Sequence, residues 1–236
     1  MVKLKKCKFC EPNMEFLGHI VGRDGLKPDP GKVEKIEKLR EPTDVSSLRS
    51  VLGLFSYYRK FIKDFSKIIR PITKLLKKDI PLIWTDEQQR AFDILKEKLT
   101  TAPILQYPDF EKSFILMTDA SKNGLGAVLS QLDDENREKV ITYASRSLRG
   151  AEENYPITEL EGLAVYWAVQ YFHKYLLTKP FKIITDYSAL KALQKTKEPK
   201  GRRARFIMEL QQYRFEIVHR SGKSNANADA LSRITI

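Results

Sequence analysis

Cysteine, histidine and long apolar runs are all scarce in this sequence. Its two cysteines, Cys7 and Cys10, form a Cys-x-x-Cys pair, and its three histidines, His19, His173 and His219, are scattered. A structural zinc site needs four such ligands, and no second cysteine pair is available, so we expect no zinc site. No stretch approaches the roughly 20 apolar residues that span a bilayer, and no secretory signal is apparent. We therefore expect a globular, intracellular protein with no membrane partner.

Positive charge is in excess and unevenly distributed. The 236 residues carry 42 Lys and Arg against 30 Asp and Glu. Residues 1–78 hold 19 against 9, whereas the rest of the chain holds 23 against 21, and a second basic stretch covers residues 191–223. Charge runs are often only solvated helix faces, but two such stretches favour binding to a nucleic-acid backbone. The candidate contact residues are Arg59, Lys60, Lys63, Lys200, Arg202, Arg203 and Arg205.

Hydrophobic periodicity divides the chain near residue 102. Residues 1–31 alternate imperfectly around a turn, which predicts short β-strands. From residue 30 to residue 78 apolar side chains recur every three or four positions, which predicts basic helices. Thr85 and Gln88 form a Thr-x-x-Gln capping box that begins a further helix, and residues 100–103 end it. We predict a basic, mainly helical domain at 1–102 and a second domain at 103–236.

The second domain has the pattern of a mixed α/β fold. Strands are expected at 113–118, 126–131 and 140–145, as an antiparallel meander. A long helix from about residue 158 to residue 176 follows, then strands at 181–185 and 215–219. Two basic helical stretches separate those strands, and a helix from about residue 225 ends the chain. This order predicts a central mixed five-stranded sheet flanked by helices.

Two of the predicted strands end in the same dipeptide, Thr-Asp. Asp119 and Asp186 each follow directly on an apolar run. Because ligands bind at the carboxyl ends of strands in open α/β sheets, two matched ends predict one shared site. Either aspartate alone would indicate no more than a strand breaker.

Two neighbouring glutamates on the long helix are predicted to lie on different faces of it. At about 100° per residue, Glu161 falls with Leu163 and Ala164 on the apolar stripe, whereas Glu159 falls on the outer face. A buried ionised carboxylate is costly unless a cation or a donor meets it. We therefore expect Glu161 to have a partner and Glu159 to face solvent.

Asp229, in the predicted last helix, is the fourth candidate acid, although the helix dipole alone would favour an acid there. If Asp119, Glu161, Asp186 and Asp229 converge, divalent cations must offset their repulsion. Oxygen ligands without Cys or His favour Mg²⁺ or Mn²⁺. Two such ions about 4 Å apart can activate water and stabilise the leaving oxygen of a phosphodiester.

Longer strings surround these acids: Thr118-Asp119-Ala120-Ser121, Gly124 to Gln131, Tyr155 to Glu161, Thr185-Asp186, and Arg220 to Arg233. They resemble the RNase H of Gypsy-type LTR retrotransposons, which implies an RNase H-like fold for residues 103–236. A second set of strings lies upstream: Phe16-Leu17-Gly18-His19, Leu52-Gly53-Leu54, Tyr57 to Ile62, and Ala91 to Leu99. It resembles the thumb or connection segment that joins the polymerase to RNase H in the same polyproteins. The resemblance covers essentially the whole chain.

The resemblance implies an endonuclease that cuts the RNA strand of RNA·DNA hybrids, with two Mg²⁺ ions, or Mn²⁺, held by Asp119, Glu161, Asp186 and Asp229. It places His219 where cellular RNases H carry a mobile histidine that aids product release; a strand-end histidine without a role is the alternative. The implied partners are the hybrid and the rest of a Pol polyprotein. The implied location is the cytoplasm, virus-like particles or the nucleus.

One family motif is absent, the Tyr-x-Asp-Asp of the polymerase palm. We therefore expect no reverse transcriptase activity from this chain alone. The absence also leaves a second hypothesis, a catalytically inactive remnant or repurposed nucleic-acid-binding module. A nuclease of the same architecture that acts on DNA, such as an integrase core, is less well supported, because integrases use three acids with different flanking strings.

Overall fold

A five-stranded mixed sheet with helices packed against it dominates the molecule, which confirms the predicted fold class. The structure is a computed structural model that describes residues 11–78, 80–185, 206 and 208–219. Cys7, Cys10 and the predicted last helix lie outside the described residues. None of the helices within those ranges is long and apolar enough to cross a membrane.

Three short antiparallel strands come first, as the imperfect alternation predicts: β1 (Asn13–Phe16), β2 (His19–Gly22) and β3 (Gly25–Pro28). The chain turns between β1 and β2 at Leu17 and Gly18, whose φ angles are +48° and +69°. The hydroxyl of Tyr57 donates to the carbonyl of Leu17, and that of Tyr58 donates to the carbonyl of Gly18 over 2.9 Å. These bonds fix the hairpin against the end of the second helix.

Four helices follow: α1 (Pro30–Glu37), α2 (Val45–Tyr57), α3 (Phe65–Lys74) and α4 (Asp86–Thr100), with a 3₁₀ turn at Arg59–Phe61. Helix α4 begins at the predicted capping box, in which the side chains of Thr85 and Gln88 each accept a hydrogen bond from the other residue's backbone amide. It ends at Thr100, within the predicted stop. The apolar faces of the helices meet in a first core, where Phe55, Phe61 and Phe92 are almost fully buried.

Gly25 lies where the first sheet meets the chain after α4. Leu26 and Leu105 exchange two backbone hydrogen bonds of 2.8 Å. Gly25 has a φ of +128°, and a β-carbon there would lie 2.3 Å from the carbonyl oxygen of Leu105. Both the backbone conformation and the close approach therefore require glycine.

Because of that approach, we expect Gly25→Ala to lower the free energy of unfolding by about 1–3 kcal/mol in a urea titration. Gly53→Ala is the matched control, since a β-carbon at Gly53 in α2 would meet nothing within 4 Å. Alanine is the better helix former, so the control should raise stability by up to about 1 kcal/mol. Equal effects of the two variants would contradict the packing described for Gly25.

The main sheet has the order β6-β5-β4-β7-β8. Strands β4 (Ile115–Ser121), β5 (Gly124–Leu132) and β6 (Glu138–Arg146) form the predicted antiparallel meander. Strands β7 (Phe181–Thr185) and β8 (Phe215–His219) have the predicted bounds, and β7 runs parallel to both β4 and β8. The carboxyl ends of β4, β7 and β8 therefore lie at the same edge of the sheet.

Helix α5 (Ile157–Tyr171) packs against β4 and β5, and a short helix α6 (His173–Leu176) continues it after a break at Phe172, within the span predicted as one helix. Beneath α5 lies the second core, which includes Leu116, Leu129 and Val165. On the other side of the sheet, α3 contacts β5 and β6, and Tyr143 of β6 packs against the first core. Helices from the first part of the chain thus cover the sheet face opposite α5.

Candidate functional site

Asp119 lies inside β4, which corrects the prediction that it follows the end of the strand. It pairs with Gly126 of β5, and β4 continues to Ser121. Asp and Ser have low β-propensity, so the sequence suggests an earlier end, but pairing with β5 extends the strand. The neighbouring Ala120 packs into the core under α5. Because side chains alternate along a strand, Asp119 faces the opposite side of the sheet, towards α3.

The carboxylate of Asp119 is bonded to an ammonium group from α3. Lys67 Nζ donates to Asp119 Oδ2 over 2.6 Å and lies 3.5 Å from Asp64 Oδ1. Burial lowers the pKa of Lys67, but the hydrogen bond to Asp119 and the charges of both aspartates outweigh burial and raise the pKa above its ordinary value. Asp64 can approach the sheet closely because residue 126 is glycine. A β-carbon at that position would lie 2.7 Å from Asp64 Oδ1. Sequence reasoning missed both Lys67 and Asp64.

Further contacts hold α3 on the sheet beside this ion pair. The amide of Ser66 donates to Ser145 Oγ over 2.9 Å. Arg70 Nη1 donates to Asn123 Oδ1 over 2.7 Å and to the carbonyl of Lys122 over 3.3 Å, both in the turn between β4 and β5. The position of Lys67 is therefore set by the packing of α3 and does not depend on the ion pair alone.

Glu161 and Glu159, one turn into α5, are both half-buried, and neither lacks an interaction partner. Glu161 is thus not in solvent, and its role as a metal ligand stays a prediction. The prediction that Glu159 faces solvent is wrong, since one of its carboxylate oxygens is buried. The helical wheel assumed a single buried face, whereas Tyr166, seven residues after Glu159 and on the same face of α5, has Phe206 stacked on its ring with the ring centres 4.9 Å apart.

The other predicted ligands, Asp186 and Asp229, lie outside the described residues. Their surroundings are described in part. The β4–β7 register pairs Met117 with Ile184, and the β7–β8 register pairs Thr185 with His219. Thr185, which precedes Asp186, and the backbone of His219 therefore lie at the sheet edge that carries Asp119.

Three of the seven basic residues predicted to bind nucleic acid are described, and they lie just before α3. Arg59 and Lys63 are exposed. Lys60 is half-buried, with its Nζ 5.4 Å from the centre of the Phe61 ring, and burial lowers its pKa. The other four lie outside the described residues: Lys200, Arg202, Arg203 and Arg205.

The described part of this edge offers one carboxylate of the kind that a divalent cation prefers. The side chain of Asp119 is 52% exposed and already accepts a cationic group. Its donor atoms are carboxylate oxygens, the type that Mg²⁺ and Mn²⁺ prefer. Within residues 11–78, 80–185 and 208–219, no group of three or more His, Cys, Asp or Glu is placed to hold a metal, and two of the four predicted ligands lie beyond those ranges.

Comparison with known proteins places this site in a family. Residues 84–183 match the RNase H-like domain found in reverse transcriptase. The Pol polyprotein from transposon 297 of Drosophila melanogaster is 44% identical over 239 residues, which are 100% of this chain and 22% of the polyprotein. The Pol polyprotein from transposon gypsy of the same fly is 41% identical over 245 residues, 98% of this chain and 23% of the polyprotein. The chain is homologous to Gypsy-type Pol polyproteins and contains an RNase H-like domain of reverse transcriptase.

A solved structure shares the fold of this Gypsy-type segment. The foamy viral protease-reverse transcriptase in complex with RNA/DNA hybrid superposes with a TM-score of 0.75 at 24% identity, covering 94% of this chain and 31% of that one. The homology to Pol polyproteins confirms the predicted retroelement resemblance, and the RNase H-like region is nuclease-like. The segment spans about a quarter or less of its curated relatives. The family match begins at residue 84 and so includes α4, while the predicted domain boundary at 102/103 stays a prediction.

Proposed function

We propose that this chain is a metal-dependent endonuclease that hydrolyses the RNA strand of RNA·DNA hybrids. One observation carries the proposal: Asp119 stands on the central strand of an RNase H-like sheet, with a half-exposed carboxylate that accepts a cationic group. A rigid strand suits an acid that must hold its position during hydrolysis. The homology to Pol polyproteins supports the same class of activity.

In this proposal Asp119, Glu161, Asp186 and Asp229 would hold two Mg²⁺ ions, for which Mn²⁺ could substitute. When bound, the ions would supply an activated water and stabilise the leaving oxygen. Asp119 is presented by β4 on the sheet face towards α3, whereas Glu161 is presented by α5 on the opposite face, so the two acids would share the ions only around the end of β4. His219, which pairs with Thr185 at the same sheet edge, would assist release of the product.

The substrate and partners follow from charge and homology. The foamy viral protein has been solved with an RNA/DNA hybrid, and we propose the same class of duplex here. The exposed Arg59 and Lys63 support contacts with its phosphates, and 2′-hydroxyl contacts would select the RNA strand. We further propose that the segment works within a larger Pol polyprotein, in the cytoplasm, virus-like particles or nucleus, and that it makes no DNA on its own.

A cleavage assay on matched duplexes tests the proposal. With Mg²⁺, we expect the chain to cut the RNA strand of an RNA·DNA hybrid and to leave RNA·RNA and DNA·DNA duplexes of the same sequence intact; EDTA should abolish cleavage. An intact hybrid in the presence of Mg²⁺ would refute the nuclease activity. Cleavage of the DNA duplex would instead support a DNA nuclease of the same architecture.

A second candidate is a nucleic-acid-binding module without catalysis. It is favoured by the basic residues 1–78 and by the ion pair that engages Asp119. Binding to all three duplexes that weakens steeply with salt, without cleavage of any, would select this function.

A further inference from the structure

The contact between Lys67 and Asp119 is produced by the fold and is more than a chance meeting of surface side chains. The two residues are 52 positions apart, and the Lys67 side chain is only 21% exposed. Ser66, one residue earlier, bonds to Ser145 of β6, and Arg70, three residues later, bonds to Asn123 in the turn between β4 and β5. The helix therefore delivers an ammonium group to one particular carboxylate of the candidate site.

A second acceptor lies within reach of the same ammonium. Lys67 Nζ is 2.6 Å from Asp119 and 3.5 Å from Asp64, so the two carboxylates lie no more than about 6 Å apart. A partly buried ammonium is costly without a partner, but the flexible lysine stem can turn towards Asp64 if Asp119 is taken. Asp64 lies close to the sheet, because the glycine at position 126 leaves room for its carboxylate. The group can thus leave Asp119 without becoming unpaired.

We propose that Lys67 is a displaceable counter-ion of Asp119, which neutralises this carboxylate in the metal-free protein and moves to Asp64 when a divalent cation binds. The inference rests on the proposed function, because it takes Asp119 as a metal ligand. It adds that α3, which precedes the RNase H-like match, sets the metal affinity of the site. Metal binding then has to compete with a contact made by the first part of the chain.

A Mn²⁺ titration of the whole chain, followed by electron paramagnetic resonance, tests this competition. Lys67→Met removes the ammonium and keeps most of the stem, so we expect it to bind Mn²⁺ about fivefold more tightly than the wild type. Lys74→Met is the matched control: it removes one positive charge from the same helix, but the Lys74 ammonium faces Glu87 of α4, 4.0 Å away, instead of Asp119. We expect its affinity to change by less than about twofold.

The same titration separates failure of this inference from failure of the proposed function. If Asp119→Asn binds Mn²⁺ as tightly as the wild type, Asp119 is not a metal ligand and both ideas fail. If Asp119→Asn loses binding but Lys67→Met binds no more tightly than the wild type, or no more tightly than Lys74→Met, only the counter-ion proposal is wrong. Circular dichroism melts confirm that each variant is folded, and Lys67→Arg, which keeps the charge, should retain the wild-type affinity.

A second measurement follows the ammonium group itself. Its NMR signal, assigned by its loss in Lys67→Met, should shift when Mg²⁺ saturates the wild-type protein. In Asp64→Asn the displaced ammonium has no second carboxylate, so its signal should broaden through exchange with water on addition of Mg²⁺. A signal that is unchanged at saturating Mg²⁺ would show that Lys67 stays on Asp119, and would overturn the proposal without reference to activity.

Discussion

Asp119→Asn is expected to reduce Mg²⁺-dependent cleavage of an RNA·DNA hybrid at least about 100-fold. Asparagine keeps the size of the side chain and one oxygen, but it loses the negative charge that would hold a divalent cation. Asp119 lies on the central strand of the sheet, paired with Gly126. It is the one acid in β4, so the strand offers no other carboxylate in its place. Single-turnover cleavage measures the loss, and fluorescence anisotropy with the same hybrid should show that binding persists.

Asp134→Asn provides a matched control. Asp134 also accepts a lysine ammonium over 2.6 Å, from Lys112, but it lies in the turn between β5 and β6 and is almost fully exposed. Loss of this ion pair removes the same chemical group without touching the candidate site, so cleavage should stay within about twofold of the wild type. Equal losses in the two variants would mean that Asp119 acts only through general charge or stability.

Elements with strong local signals could be predicted from the sequence. Helix α4 has a capping box at Thr85 and a threonine-proline stop, and the structure places its ends there. Strands β7 and β8 are short apolar runs bounded by polar residues, and their ends also match. The end of β4 was missed because pairing with Gly124 and Gly126 of β5 carries the strand past Asp119. Such pairing depends on the partner strand, so the residues around Asp119 alone do not predict it.

The sequence predicts which acids belong to the candidate site, but it does not predict which residues contact them. The Thr-Asp dipeptide at Asp119 has a recognisable sequence context, and the apolar stripe of α5 suggested that Glu161 is covered. Nothing marked Lys67 among the 42 Lys and Arg, because its role depends on how α3 lies on the sheet. The assignment of Glu159 to solvent is wrong for a related reason: a helical wheel shows one buried face and cannot show that Phe206, distant in the sequence, packs on Tyr166 of the same helix.

The aromatic cluster around Phe92 joins α2 to α4 in the first core. Phe92 is 1% exposed, and the rings of Phe55 and Trp84 each meet it edge-on at 5.7 Å. The ammonium of Lys96 lies 4.8 Å from its centre. Helix α3, which carries the residues that contact Asp119, packs against α4. The stability of this core therefore determines whether α3 can stay on the sheet.

Phe92→Ala is accordingly expected to lower the free energy of unfolding by about 3–5 kcal/mol, because it removes a buried ring and leaves a cavity. In a thermal melt followed by circular dichroism, this corresponds to a drop of about 10 °C in Tm. Ile94→Ala in the same helix is the control: Ile94 is 41% exposed, so its truncation should cost about 1 kcal/mol or less. If Phe92→Ala and Ile94→Ala had the same Tm, α4 would not pack on the first core as described. The idea that a fixed helix brings Lys67 to Asp119 would then lose its support.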